Sequence, residues 1–189
     1  MDVIATDIPD VKIIRPKKFG DHRGFFSEVF KNDVLKASGV DVHWVQDNHS
    51  FSASRGVVRG LHFQTAPFAQ AKLLRVTRGA ILDVAVDIRR GSPTYGRHVA
   101  AELSADNWDQ LYVPLGFAHG FCTLTDNTEV IYKVSAAYAP ANEGGLIWND
   151  PDLAIAWPIL STEATLASRD TTWPAFRDFV SPFQPAAPA

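Results

Sequence analysis

Apolar residues recur mainly at every second position, the spacing of an extended strand rather than a helix. In 80–89, Leu82, Val84, Val86 and Ile88 fall on one face, with Asp83 and Asp87 on the other. In 129–138, Val130, Tyr132, Val134, Ala136 and Tyr138 share a face opposite Lys133 and Ser135. The same pattern predicts strands over 11–15, 25–30, 43–51, 57–63, 72–77, 98–103, 110–113 and 117–125. Turn residues separate them: Gly20-Asp21, Gly91-Ser92-Pro93, Pro114-Leu115-Gly116 and Asp126-Asn127. About ten short strands at this spacing predict an all-β fold, an antiparallel sandwich or barrel. Helical signals are sparse. Asn32 is placed to cap a helix over 32–38 that Gly39 stops; 105–108 reads as one turn and 162–168 as a further helix. No repeat or linker divides the chain, so 1–189 reads as one domain with its core over about 11–183. The Pro/Ala-rich tail, 182–189, is expected to fray at its end.

Composition narrows the class. A chain of 189 residues, 46% hydrophobic and 21% charged, has enough apolar material for a core and excludes a disordered or fibrous protein. Lys and Arg number 18 against 21 Asp and Glu, so no basic excess points to nucleic acid or to an anionic membrane. No apolar run approaches the roughly 18 residues of a membrane span. The one cysteine, Cys122, cannot form an internal disulfide, and the N-terminus carries acids where a signal peptide needs bases. A reduced, cytoplasmic protein is expected.

Six histidines are present. His22, His43, His49 and His98 stand alone and read as structural or solvated. His62 lies in Arg59-Gly60-Leu61-His62-Phe63-Gln64. Strict alternation sends Arg59 and His62 to opposite faces, so they share a pocket only if the strand bulges at Gly60. His119 closes Pro114-Leu115-Gly116-Phe117-Ala118-His119, the P-x-G-x-x-H spacing of cupin barrels that bind metals. Such a site also needs a His-x-His pair and a glutamate. Here the place reads His62-Phe63-Gln64, and two histidines do not make a three-ligand site, so a metal-free pocket is expected. Cys122, inside an apolar run, reads as a structural thiol. Nucleophile-elbow, P-loop and dinucleotide motifs are absent. Among the basic residues set in apolar strands, Arg75 reads as outward-facing. Arg23 and Arg59, each followed by glycine, suit either a diphosphate or carboxylate ligand or solvent. Tyr132 and Tyr138 read either as packed core rings or as an acid and a stacking platform.

Seven motifs occur in order: Asp21-His22-Arg23-Gly24-Phe25-Phe26-Ser27-Glu28, Gln46-Asp47-Asn48-His49-Ser50, the His62 segment, Gln70-Ala71-Lys72-Leu73, Asp83-Val84-Ala85-Val86-Asp87-Ile88-Arg89, Tyr112 through Phe121, and Tyr132-Lys133. Together they resemble the dTDP-4-dehydrorhamnose 3,5-epimerase family over nearly the whole chain. The resemblance implies a cupin-type jelly roll, a homodimer, a dTDP-linked 4-keto-6-deoxyhexose as substrate, and neither metal nor redox cofactor. It implies His62 as general base, Asp170 as the carboxylate orienting it, Tyr132 as general acid and Tyr138 as the ring near the thymine. It assigns substrate contacts to Arg23, Glu28, Gln46, Asn48, Arg59, Lys72, His119 and Glu143. Arg169 stands where many members carry lysine, and it keeps the positive charge. The chemistry suits these residues: carbons 3 and 5 flank the C4 ketone, an imidazole accepts protons near neutral pH, and Lys72 suits the enolate oxygen. Three alternatives stand beside this reading. A relative inverting C3 or C5 alone would keep the same residues. A 3,4-ketoisomerase typically carries the His pair that this chain lacks. A binding-only barrel has no need of His62, Asp170 and Tyr132 together.

Overall fold

In the computed structural model, which describes residues 1–184, the period-two segments pair as antiparallel strands in two facing sheets. One sheet has six strands in the order β1 (Asp2–Ala5), β2 (Lys12–Arg15), β10 (Gln110–Val113), β7 (Lys72–Arg78), β12 (Thr128–Val134) and β5 (Gln46–Ser52). The other has five, in the order β13 (Glu143–Gly145), β6 (Val58–Gln64), β11 (Phe117–Thr123), β8 (Ala80–Asp87) and β9 (His98–Ser104). A separate hairpin joins β3 (Lys18–Asp21) to β4 (Gly24–Ser27), and α1 (Asn32–Ala37) is short. The architecture is an antiparallel jelly roll.

The inward faces of the sheets meet in one apolar core that includes Leu74, Val76, Ile81, Ala85, Phe121 and Val130. A half-buried sheet would leave its outer face to water, yet here the outer face of the five-stranded sheet is covered and that of the six-stranded sheet is covered in part. Leu82, Val84, Val86 and Ile88 turn outward and pack beneath the C-terminal segment, against residues such as Leu153, Trp157 and Phe176. Leu35 of α1 joins Ile14, Leu73 and Tyr112 behind the other sheet. Every residue of β11 is therefore buried, and Asp83 and Asp87 of β8 have no exposed surface. The apolar face of β8 looks away from the barrel; its acidic face looks in.

Several boundaries differ from the sequence expectation. Strand β4 ends at Ser27, β5 begins at Gln46 and β12 ends at Val134. Tyr138 thus lies on a loop and shares no strand face with Tyr132. Strands β1, β3 and β13 are additional. Lys31, not Asn32, occupies the helix N-cap position, without a side-chain cap bond. Gly39 does follow the helix, with φ +84°. Segment 105–108 is an irregular turn with Trp108 at φ 65°. Segment 162–168 is not a helix: Thr165 forms a parallel bridge to Val57, and its N–H donates to the Gly56 carbonyl at 2.9 Å. The backbone there bonds to the chain leading into β6 instead of to itself. The expected fraying at 185–189 lies outside the described residues.

Candidate active site

The register of β6 against β11 pairs His62 with His119 and Arg59 with Phe121, so three steps on β6 oppose two on β11. That extra residue is a β-bulge. It turns Arg59 and His62 to the same side, and both line one cavity of about 320 Å³. Gly60 is required there. Its φ is +128°, and a Cβ would lie 2.5 Å from the Gly120 Cα and 2.7 Å from the His119 carbonyl oxygen.

His62 Nε2 lies 2.6 Å from Asp170 Oδ1. Asp170 is buried in a short 3₁₀ turn, Ser168–Thr171, where Trp173 Nε1 donates to the same oxygen at 3.4 Å. Burial disfavours its charge, but the His62, Gly60 and Trp173 contacts outweigh it and hold the carboxyl below its ordinary range. A carboxylate in this position holds Nε2–H and leaves Nδ1 to the cavity.

The facing sheet contributes Lys72 from β7 and Tyr132 from β12. Desolvation lowers the Lys72 ammonium to about 8, against the pull of Asp83 and Glu143. Desolvation raises the Tyr132 phenol, which Arg59 and Arg169 partly offset, so the phenol stays protonated at neutral pH. His119 is buried beside His62, with Nε2 2.7 Å from Asp83 Oδ1. Its desolvation, with the Lys72 and His62 charges, outweighs Asp83 and lowers its pKa.

A recess of about 160 Å³ adjoins this cavity, sharing His62, Lys72, Tyr132 and Arg169 with it. Gln46 and Asn48, alternate residues of β5, line it, and Gln46 Nε2 donates to Asn48 Oδ1 at 2.7 Å. On β13, Glu143 Oε2 accepts from Tyr138 at 3.1 Å and from Arg169 at 3.0 Å, which joins the exposed Tyr138 ring to the cavity rim. Gln64, at the place of a second histidine in metal-binding barrels, is fully engaged. Its amide donates to the Phe68 and Ala137 carbonyls at 2.7 and 3.1 Å, and its oxygen accepts from the Ala139 N–H at 2.8 Å. The residue holds the Tyr138 loop. Among the described residues no three His, Cys, Asp or Glu side chains cluster as a metal site.

Two expected contacts lie elsewhere. Arg23, at the tip of the β3–β4 hairpin, pairs with Asp21, and Glu28 lies 3.5 Å from Lys31; neither lines the cavity of its own chain. Arg75 faces the outer side of its sheet, 5.9 Å from the Trp108 ring, as expected. Cys122 is buried, and its thiol is pushed up to about 11 by desolvation. Sequence reasoning gave no role to Ser50, Asp83 or Trp173. Ser50 continues the alternation of Gln46 and Asn48 into the cavity, and its buried hydroxyl has no hydrogen-bond partner among the described residues. Period two reaches Ser50 from Asn48; nothing local marks Trp173.

Residues 5–178 match the sequence profile of the dTDP-4-dehydrorhamnose 3,5-epimerase family. The chain is 54% identical over 180 residues to an enzyme of that name from Sinorhizobium fredii, covering 95% of this chain and 92% of the relative. The solved structure of the Bacillus anthracis enzyme of that name, with TDP and PPi bound, is 49% identical at a TM-score of 0.89, covering 92% of this chain and 98% of that one. That of the Legionella pneumophila dTDP-6-deoxy-D-glucose-3,5-epimerase, in complex with dTDP-4-keto-L-rhamnose, is 40% identical at a TM-score of 0.92, covering 100% and 99%.

Proposed function

The chain belongs to the dTDP-4-dehydrorhamnose 3,5-epimerase family, and from that premise we propose that it inverts C3 and C5 of dTDP-4-dehydro-6-deoxy-D-glucose, giving dTDP-4-dehydro-L-rhamnose. The observation that carries this reading is a single cavity holding a carboxylate-anchored imidazole, His62 with Asp170, together with a protonated phenol, Tyr132.

The C4 ketone acidifies the C–H bonds at C3 and C5. His62 Nδ1 takes one of these protons, the C–H electron pair moves into the enolate, and Asp170 stabilises the imidazolium. The Lys72 ammonium stabilises the charge on O4. Tyr132 then delivers a proton to the opposite face of the same carbon, and the enolate collapses to the inverted ketone. Exchange with water resets imidazolium and phenolate before the second carbon reacts. No step needs a metal or a redox cofactor.

Arg59 and Arg169 supply positive charge for the diphosphate, and Tyr138 supplies a ring for the thymine. Gln46, Asn48, His119 and Glu143 hold the sugar. The protein works as a cytoplasmic homodimer. Arg23 and Glu28 lie outside the cavity of their own chain, and a second copy's hairpin would bring them to its mouth. Exposed Phe19, Phe25 and Phe26 on that hairpin support such a contact.

Product NMR after incubation in deuterated water tests the reading, with a 4-reductase to trap the product. Deuterium at both C3 and C5 with L-rhamno product is expected. Exchange at one carbon only would mean a single-site epimerase, and neither exchange nor product would overturn the reading.

A further inference from the structure

Asp83 and Asp87 occupy the same face of β8, and both are wholly buried. Asp87 is saturated: Arg89, Ser92 and Thr94 all donate to it. Asp83 is not. One oxygen lies 2.7 Å from His119 Nε2, while Oδ2 is buried without a hydrogen-bond partner among the described residues. An unpaired carboxylate oxygen is costly in a protein interior, so a merely structural acid would be expected to look like Asp87.

The position of Asp83 says what the spare capacity is for. His119, to which it bonds, lies directly across from His62 in the register and lines the same cavity. Lys72 enters that cavity from the facing sheet, and Asp83 and Glu143 are the acidic charges that favour its ammonium form. Resting on the epimerase reading, we infer that Asp83 is a positioning residue for the reaction: it holds His119 as the Nε2–H tautomer, with Nδ1 an acceptor turned to the sugar, and it keeps Lys72 charged for the enolate oxygen. The cavity then contains two imidazole–carboxylate pairs with different tasks. His62–Asp170 moves protons, while Asp83 sets the charge and hydrogen-bonding sense of the wall beside it.

His119 is kept neutral by burial between two cationic neighbours, His62 in its charged form and Lys72. A neutral ring bonded through Nε2 to a carboxylate accepts at Nδ1 and cannot donate there. It therefore suits a sugar hydroxyl, and the oxyanion is left to Lys72. The other charged or titratable groups around the cavity are Arg59, Tyr132, Arg169 and Asp170.

The test compares pH profiles of kcat/KM for the wild-type full chain and for Asp83→Asn, alongside dTDP binding and thermal melting. Expected is a fall in kcat on the order of a hundredfold and an alkaline limb moved about one pH unit toward acid, because Lys72 loses a neighbouring anion. The dTDP affinity and the melt should stay close to wild type. An unmoved alkaline limb with near-wild-type kcat would overturn the role. Asp83→Glu should restore the limb, as a purely steric role would not allow. Ring ¹⁵N shifts of wild-type His119 give a reading that needs no variant: the neutral Nε2–H tautomer is expected at pH 7–8, and a charged or Nδ1–H ring there would overturn the inference. If the wild-type protein fails to epimerise the nucleotide sugar, the functional reading falls, while the His119 tautomer is still decided by the NMR result.

Discussion

Lys72 carries the clearest pH signature in the cavity. Its ammonium titrates at about 8, below the ordinary lysine value. In the proposed reaction the protonated form serves the enolate, so kcat/KM should fall as pH rises through about 8. Stability should move the other way. Above pH 8 the unfolded chain still binds a proton that the folded chain has released, so the unfolding free energy rises until the ordinary lysine value is passed. Lys72→Met should abolish turnover yet raise stability at neutral pH by about 1 kcal/mol, read by urea unfolding. The residues proposed to move protons predict a different pattern. His62→Ala should eliminate both deuterium exchange and inversion. Asp170→Asn should slow exchange by roughly 10²–10⁴, because the amide can favour the wrong tautomer. Joining it to His62→Ala should add little, since the two act as one unit. Tyr132→Phe keeps the ring and loses the donor, so exchange at the abstracted position should outlast inverted product. Equal loss of both in that variant would remove the separation of roles.

At the scale of elements, the bulge of β6 decides whether the site exists. Without it Arg59 and His62 would point to opposite faces of the sheet. Gly60→Ala would place a methyl against the backbone of Gly120 and force a positive φ on a residue that resists it. We expect a loss of about 3 kcal/mol or more. Surviving folded protein should show much reduced activity and weaker dTDP binding, measured by calorimetry, because the same bulge turns both His62 and Arg59 to the cavity. The Tyr138 loop depends on Gln64 in a similar way. Gln64→Ala removes the donor to the Ala137 carbonyl and the acceptor of the Ala139 N–H that hold the loop backbone, and also the bond to the Phe68 carbonyl. It should raise KM with little change in kcat, because it loosens a rim contact and leaves the proton-transfer residues in place. A fall in kcat alone would place Gln64 nearer the chemistry than this.

At the scale of the molecule, the position of Arg23 carries the prediction. Its hairpin is pinned at the base: Trp108 Nε1 donates to Ser27 Oγ at 3.0 Å, and the Phe25 and Trp108 rings meet edge to face at 5.2 Å. Arg23 does not line the cavity of its own chain. If a second chain supplies that residue, Arg23→Ala and His62→Ala should complement. Mixing the two inactive chains should give dimers with one complete site and recover up to about a quarter of wild-type activity, on the statistical pairing of subunits in a two-fold dimer. No recovery in mixed dimers shown to have exchanged subunits would place Arg23 in the site of its own chain or outside both.

The sequence by itself determined the β class, most strand positions, the absence of a His-x-His pair, and the local order of the motif residues. These are short-range properties: alternation and turn chemistry act over a few residues, and Arg59-Gly60-Leu61-His62 holds both the problem of opposite faces and the glycine that solves it. Strand ends such as Val134, the bridge that replaces a helix at Thr165, and the outward direction of the β8 apolar face were decided only by tertiary structure. In each case a partner distant in sequence supplies the missing hydrogen bonds or cover: β6 for Thr165, the C-terminal segment for Val84 and Val86. The pairing of His62 with Asp170, 108 residues apart, and of Asp83 with His119 has the same origin. Alternation tells which residues share a face; only the folded sheets tell which face closes over the cavity.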